Sequence, residues 1–145
     1  MQNLLVLIVS IALHIVPKVA VAKSIQIEFT EDDSYSVEVA RIEVGDTIKW
    51  LPKNEGHNVA FLAGPKMNAL PANSKIDAPH SVIFKVSGVY LYGCTPHGNM
   101  GMLGLVIVGN DLHNLDVIKK IKLSPVATSV LKRLIGIAQS HPKIL

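Results

Sequence analysis

Residues 89 to 108 have the sequence Val89-Tyr90-Leu91-Tyr92-Gly93-Cys94-Thr95-Pro96-His97-Gly98-Asn99-Met100-Gly101-Met102-Leu103-Gly104-Leu105-Val106-Ile107-Val108. The apolar runs 89–92 and 103–108 predict two β-strands, because they are rich in β-branched and aromatic residues and are bounded by turn residues. The loop between them carries a thiol, an imidazole and two thioethers. The stretch therefore indicates a β-fold that presents metal-binding side chains on one loop.

Short β-type runs continue upstream of this loop. Residues 24–29 alternate between apolar and polar side chains, which is the pattern of a strand with one buried face. The acidic turn Glu31-Asp32-Asp33-Ser34 follows, and further strands are predicted at 35–44, 47–51, 57–61 and 81–86. Residues 62–79 are predicted to be a long irregular connection. Seven or eight strands at this spacing are typical of an all-β sandwich.

The pattern becomes helical after Gly109. Leu115, Ile118 and Ile121 recur at helical spacing, and apolar residues recur similarly between 126 and 137. Ser124 followed by Pro125 predicts a helix start, with a side-chain oxygen at the N-cap and proline at the first helical position. We expect two amphipathic helices whose apolar faces pack on the sandwich.

The N-terminus is typical of an export signal. Residues 4–16 are apolar apart from Ser10 and His14, and Ala20-Val21-Ala22 is a small-residue cleavage motif. We expect a signal peptide at 1–22 and one domain at 23–145, with the sandwich at 23–110 and the helical tail at 111–145. The apolar run is too short to span a bilayer, which needs about 20 residues. An uncleaved anchor is the alternative.

Charge and cysteine content exclude several classes of protein. The formal net charge of +3 is far below that of a dedicated nucleic-acid binder. The charge is uneven, since residues 23–46 hold seven acidic and two basic side chains. The single cysteine, Cys94, cannot form an internal disulfide, which leaves a buried thiol, an intermolecular bridge or a metal ligand.

The residue types on the loop suit copper. A thiolate, two imidazoles and a weakly bound thioether form the trigonal sites of blue-copper proteins. Cys94 and His97 supply two of these donors, a methionine of the loop supplies the thioether, and His57 supplies the second imidazole from a strand-like segment. Asn58 is placed to hydrogen-bond to the Cys94 loop and to brace the two ligand segments.

Three alternatives remain open at this point. Zinc also binds cysteine and histidine, although its structural sites lack methionine. A cysteine-nucleophile enzyme would use His97 as base, but the tight proline-containing loop is poor geometry for proton abstraction. A metal-free secreted binding domain could use the same sandwich.

The motifs resemble those of the cupredoxins, and most closely the pseudoazurin group. The resemblance is carried by Gly56-His57-Asn58-Val59, Gly88-Val89-Tyr90, Cys94-Thr95-Pro96-His97, Met100-Gly101-Met102, the turn Gly45-Asp46-Thr47 and the helical tail. It implies a cupredoxin-like Greek-key sandwich of about eight strands with two C-terminal helices. It also implies one type 1 copper ion, held by His57, Cys94, His97 and Met102. Amicyanin-like spacing would choose Met100, but the C-terminal helices favour Met102.

The resemblance further implies a periplasmic, monomeric electron carrier and not an enzyme. Its implied donor is a c-type cytochrome or a dehydrogenase, and its implied acceptor is a reductase such as copper nitrite reductase. No nucleic-acid partner and no stable membrane association are expected. Electrons would leave through His97, within an apolar patch formed by Pro52, Gly56, Pro96 and Met100. A basic rim is expected from Lys53, Lys66, Lys75 and Lys85. Gly98-Asn99 and Glu55 depart from the usual pseudoazurin residues.

Overall fold

The computed structural model describes residues 21–140, and its strands form two packed sheets. One sheet has the order β1-β3-β5 and the other β2-β7-β6-β4. The strands are β1 (Ser24–Glu28), β2 (Val39–Ile42), β3 (Thr47–Leu51), β4 (Ala60–Ala63), β5 (His80–Ile83), β6 (Gly88–Gly93) and β7 (Leu103–Val108). The predicted β-sandwich is confirmed. The predicted signal peptide at 1–22 falls almost entirely outside the described residues.

The strand between residues 35 and 44 is shorter than its alternation predicts. Only Val39–Ile42 pairs in a sheet, parallel to β7, while Tyr35 forms an isolated antiparallel bridge with Phe29. The tyrosine hydroxyl also donates a hydrogen bond of 2.8 Å to the carbonyl oxygen of Asn58. This contact fixes Tyr35 in the interior, beside the segment that carries His57. The described residues contain seven strands.

Two apolar layers hold the domain together. The first lies between the sheets and contains Ile27, Ile48, Trp50 and Tyr92. The second lies between the β2-β7-β6-β4 sheet and the helices. Strands β6 and β7 are buried along their whole length, because both faces of their sheet are covered. The loop that joins them consequently starts and ends on two fully buried strands.

The helical tail packs on the sandwich as predicted. Helix α1 spans Leu115–Lys119 and helix α2 spans Pro125–Ser140. Ser124 caps α2, since its Oγ accepts a hydrogen bond from the N–H of Ala127 at 3.1 Å. The same hydroxyl donates to the carbonyl oxygen of Asn99 at 2.6 Å. This hydrogen bond joins the start of α2 to the loop between β6 and β7. In the part of the chain that the structure describes, no helix combines the length and apolar character needed to cross a membrane.

At the opposite end of the sandwich, the buried carboxylate of Asp46 orders the start of the domain. Its Oδ1 accepts the backbone N–H of Lys23 at 2.6 Å, and its Oδ2 accepts the N–H of Glu43 at 2.9 Å. The carbonyl oxygen of Lys23 accepts the N–H of Thr47 at 2.9 Å. Lys23 is thereby fixed at the beginning of β1.

Candidate metal centre

The loop between β6 and β7 is closed by backbone hydrogen bonds. The N–H of Cys94 donates to the carbonyl oxygen of Met102 at 3.1 Å, and the N–H of Met102 donates to that of His97 at 3.2 Å. A 3₁₀ turn spans Gly98–Met100 within the loop. The backbones of three candidate ligand residues are therefore joined directly to one another.

Helix α2 packs against the loop between β6 and β7. Gly101 has a φ of 102°, a left-handed conformation that favours glycine. A Cβ at this position would lie 2.8 Å from a methyl carbon of Val130 on α2. Only a glycine lets the loop approach the helix this closely.

His57 reaches the site from a segment just before β4, and not from within a strand as its apolar context predicts. The carboxylate Oδ1 of Asp77 accepts the N–H of Gly56 at 2.6 Å and that of His57 at 3.3 Å. The N–H of Asp77 donates back to the carbonyl oxygen of His57 at 2.9 Å. These contacts take the place of a strand partner, so the backbone of His57 is fixed outside the sheet.

The side chains of His57, Cys94 and His97 converge. The two histidine Nδ1 atoms are 3.0 Å apart, and the sulfur of Cys94 lies 3.7 Å from Nδ1 of His57 and 3.6 Å from Nδ1 of His97. His57 and Cys94 are almost completely buried, whereas the side chain of His97 is 23% exposed. In the described residues this is the one group of histidine, cysteine and acidic side chains with the geometry to hold a metal ion.

These separations fit a single metal ion. A first-row metal with bonds of about 2.0 Å to nitrogen and 2.3 Å to sulfur holds such donors roughly 3.3 to 3.7 Å apart at trigonal or tetrahedral angles. Both sulfur–nitrogen distances fall in this range, and the nitrogen–nitrogen distance is slightly shorter. The chain can therefore hold one ion with two nitrogens and one sulfur.

The two methionines of the loop differ sharply in burial. Met102 is 1% exposed and its backbone bonds to both Cys94 and His97, whereas Met100 is 59% exposed. A thioether that completes a buried site must itself be shielded from water. Met102 is thus the methionine whose surroundings suit a ligand.

The electrostatics of the pocket favour an uncharged His57. Burial lowers the pKa of its imidazole, and the neighbouring His97 lowers it further, while Asp33 and Asp77 oppose the shift. Only a neutral imidazole offers a lone pair to a metal. The fold therefore keeps His57 in its ligating form.

Asn58 joins the two segments that carry the candidate ligands. Its Oδ1 accepts the N–H of Thr95 at 2.7 Å, and its Nδ2 donates to the hydroxyl of Thr95 at 2.9 Å. Thr95 is adjacent to Cys94, and Asn58 is adjacent to His57. This paired contact links the His57 segment to the Cys94 loop.

The predicted apolar patch lies largely around His97. Pro96 precedes His97 in the chain, and the N–H of Met100 donates to the carbonyl oxygen of His97 at 2.9 Å. A Cβ on Gly56 would lie 3.8 Å from the imidazole ring of His97. Pro52 is half-buried and follows β3 at the same end of the sandwich. The exposed edge of His97 is thus bordered by small or apolar residues.

Two lysines of the predicted basic rim, Lys66 and Lys85, follow residues that lie at the other end of the sandwich. Lys85 follows Phe84, whose backbone pairs with Gly45 and Asp46 at the end of the sandwich away from the loop. Lys66 follows Pro65, which lies close to Gly88 at the far end of β6. The paths of these connections, which the sequence pattern does not encode, lead away from the Cys94 end of the sandwich.

The other two lysines of the predicted rim lie near the ligand segments. Lys75 follows Ser74, whose N–H donates to the carbonyl oxygen of Val59. It lies two residues before Asp77, whose carboxylate accepts the N–H of His57. Lys53 is at the same end, but its ammonium pairs with Glu28 at 2.9 Å. Sequence patterns also missed Asp33: the acidic turn gave no signal beyond its charge, yet the structure brings this carboxylate close to both histidines.

Comparison with known proteins agrees with this geometry. Residues 21–109 match the family model of copper binding proteins, plastocyanin/azurin family. The chain belongs to this family. Within it, the chain is most similar to pseudoazurins, so copper is the cofactor that this cupredoxin's donor set fits.

Among curated relatives, this cupredoxin is 37% identical over 84 residues to a pseudoazurin of Paracoccus pantotrophus, covering 57% of the chain and 58% of the relative. It is 35% identical over 85 residues to that of Methylorubrum extorquens, covering 58% and 57%. The alignments thus span less than two thirds of these relatives. A Sinorhizobium pseudoazurin structure matches with a TM-score of 0.75 and 29% identity, over 81% of this chain and 98% of that one.

Proposed function

We propose that this cupredoxin is a one-electron shuttle of the periplasm, with His57, Cys94, His97 and Met102 as the ligands of a single type 1 copper ion. The convergence of two imidazole nitrogens and one thiol sulfur within 3.7 Å of one another carries the proposal. A buried methionine beside them supplies the thioether of the blue-copper set. Bound copper supplies the Cu(I)/Cu(II) couple.

The chain's own contribution is a rigid and dry pocket. The loop bonds to itself, Asp77 holds the His57 backbone, and Asn58 joins the two segments. Donor atoms fixed in this way keep their positions when the charge of the centre changes, so little reorganisation opposes electron exchange. Burial of Cys94 keeps water from the thiolate.

His97 is the exit point in this proposal. It is the one candidate ligand whose side chain is partly exposed, and Pro96, Gly56 and Met100 border it. A small apolar contact suits a partner that docks briefly and is then released. The charges nearby are mixed, since Lys75 and Asp33 both lie at this end, and we expect only moderate dependence of the rate on salt.

The family and the N-terminal sequence support a proposal for the partners and the location. We propose a c-type cytochrome or a dehydrogenase as donor and a reductase such as copper nitrite reductase as acceptor. The signal-like residues 1–22 support export, and we propose that the carrier acts as a monomer without stable membrane association.

The test is the visible absorption and electron paramagnetic resonance spectrum of the chain from Lys23 onward after addition of Cu(II). We expect intense thiolate-to-copper charge transfer and a type 1 signal. Cys94→Ser is the matched control, because it replaces the sulfur by oxygen at nearly constant shape, and it should abolish the colour. A colourless wild-type protein that binds no copper, or binds only zinc, would overturn the proposal in favour of a binding domain.

A further inference from the structure

The acidic turn before Tyr35 places one carboxylate against the candidate metal centre. Oδ1 of Asp33 lies 3.6 Å from Nε2 of His57 and 3.8 Å from Nδ1 of His97. Among the described residues, no other carboxylate oxygen lies within ion-pairing distance of either ring. The proposed ligand set does not include this group.

The turn that carries Asp33 is firmly closed. The N–H of Thr30 donates to the carbonyl oxygen of Ser34 at 2.9 Å, and the hydroxyls of the two residues are 2.6 Å apart. Phe29 and Tyr35 flank the turn and are 1% and 2% exposed. The position of Asp33 is therefore set by buried anchors on both sides.

The backbone of Asp33 is itself unusual. Its φ of 51° is left-handed, a conformation that aspartate and asparagine tolerate better than other residues with a side chain. This conformation and the closed turn together direct the side chain of Asp33 toward the rings of the two histidines. The backbone position of Asp33 is thus a fixed feature of the fold.

We propose that Asp33 is a built-in anion that stabilises the oxidised metal centre and thereby lowers its reduction potential. This rests on the proposed function. Cu(II) with one thiolate and two neutral imidazoles has a net charge of +1, and gain of one electron makes it neutral. A fixed negative charge attracts only the oxidised form, so it opposes reduction. The side chain of Asp33 is 49% exposed, so solvent weakens the effect without removing it.

The experiment compares the copper-loaded wild type with Asp33→Asn and Asp32→Asn. Asparagine preserves the shape and the left-handed turn at position 33 while removing the charge. Asp32 is exposed in the same turn, so its variant removes an equal charge and serves as the control. Each protein is titrated with a redox mediator, and its visible and electron paramagnetic resonance spectra are recorded.

For Asp33→Asn we expect the Cu(I):Cu(II) ratio at a fixed applied potential to rise about tenfold, equivalent to a potential about 59 mV higher for a one-electron couple. Asp32→Asn should change the ratio less than about threefold, and all three spectra should stay of type 1. Equal shifts in the two variants would overturn the assignment. Loss of the type 1 spectrum in Asp33→Asn alone would also overturn it, because Asp33 would then be needed to build the site. If the wild type itself lacks that spectrum, the proposed function has failed first.

Discussion

The link between Asn58 and Thr95 makes a quantitative prediction for the metal-free protein. Asn58→Ala removes a long contact of 3.4 Å to the carbonyl oxygen of Ser74, which adds little, and two hydrogen bonds, of 2.7 and 2.9 Å, that join the His57 segment to the Cys94 loop. Each contributes about 1 kcal/mol net, and Thr95 is exposed enough for water to satisfy its freed groups. We therefore expect the free energy of unfolding to fall by about 2 kcal/mol, out of a total of roughly 5 to 15.

Urea unfolding of the metal-free domain measures this loss, and Thr95 offers matched controls. Thr95→Ser keeps the hydroxyl and should change stability little, whereas Thr95→Val removes only the side-chain bond and should cost about 1 kcal/mol. A double-mutant cycle of Asn58→Ala with Thr95→Val should give a coupling of similar size. A loss below about 0.5 kcal/mol for Asn58→Ala would show that the two segments are held by other contacts, and would refute the bracing argument.

Three further predictions concern the loop, the core and the far end of the sandwich. Met102→Leu should alter the copper spectrum and raise the potential, while Met100→Leu should leave both nearly unchanged; the opposite result in spectroscopy would assign the exposed methionine as ligand. Gly104→Ala should destabilise the fold by about 1 to 3 kcal/mol in urea unfolding, because its Cβ would lie 2.3 Å from the ring of Tyr92. Backbone N–H donors hold the pKa of Asp46 below its usual value, so the stability it contributes is present above the ordinary carboxyl pKa and is lost as pH falls through the lowered one. Acid titration of unfolding should therefore show a shallower loss in Asp46→Asn than in the wild type, and parallel curves would contradict this.

Local patterns predicted the elements whose causes are local. The apolar runs on either side of the loop became β6 and β7, and Ser124 with Pro125 began α2, because strand preference and capping depend on neighbouring residues. The convergence of His57 with the loop was foreseeable from residue type, since few other side chains could complete a copper set.

Long-range geometry could not be predicted in the same way. His57 lies outside a strand because Asp77 takes its backbone hydrogen bonds, a contact made across 20 residues. The connections that carry Lys66 and Lys85 run to the other end of the sheets. Asp33 reaches the histidines through a left-handed turn between two buried aromatic residues, and neither its handedness nor its direction is encoded in the acidic run itself.

The contact between Lys23 and Asp46 would affect the stability of a chain that begins at Lys23. A chain cut before Lys23 carries its new α-amino group at the nitrogen that now lies 2.6 Å from Oδ1 of Asp46. That group is protonated at neutral pH, so a neutral hydrogen bond becomes a charge-assisted pair with a carboxylate that is only 5% exposed. Cleavage at that bond would therefore strengthen this contact, and the cut chain would unfold less readily than the uncut one.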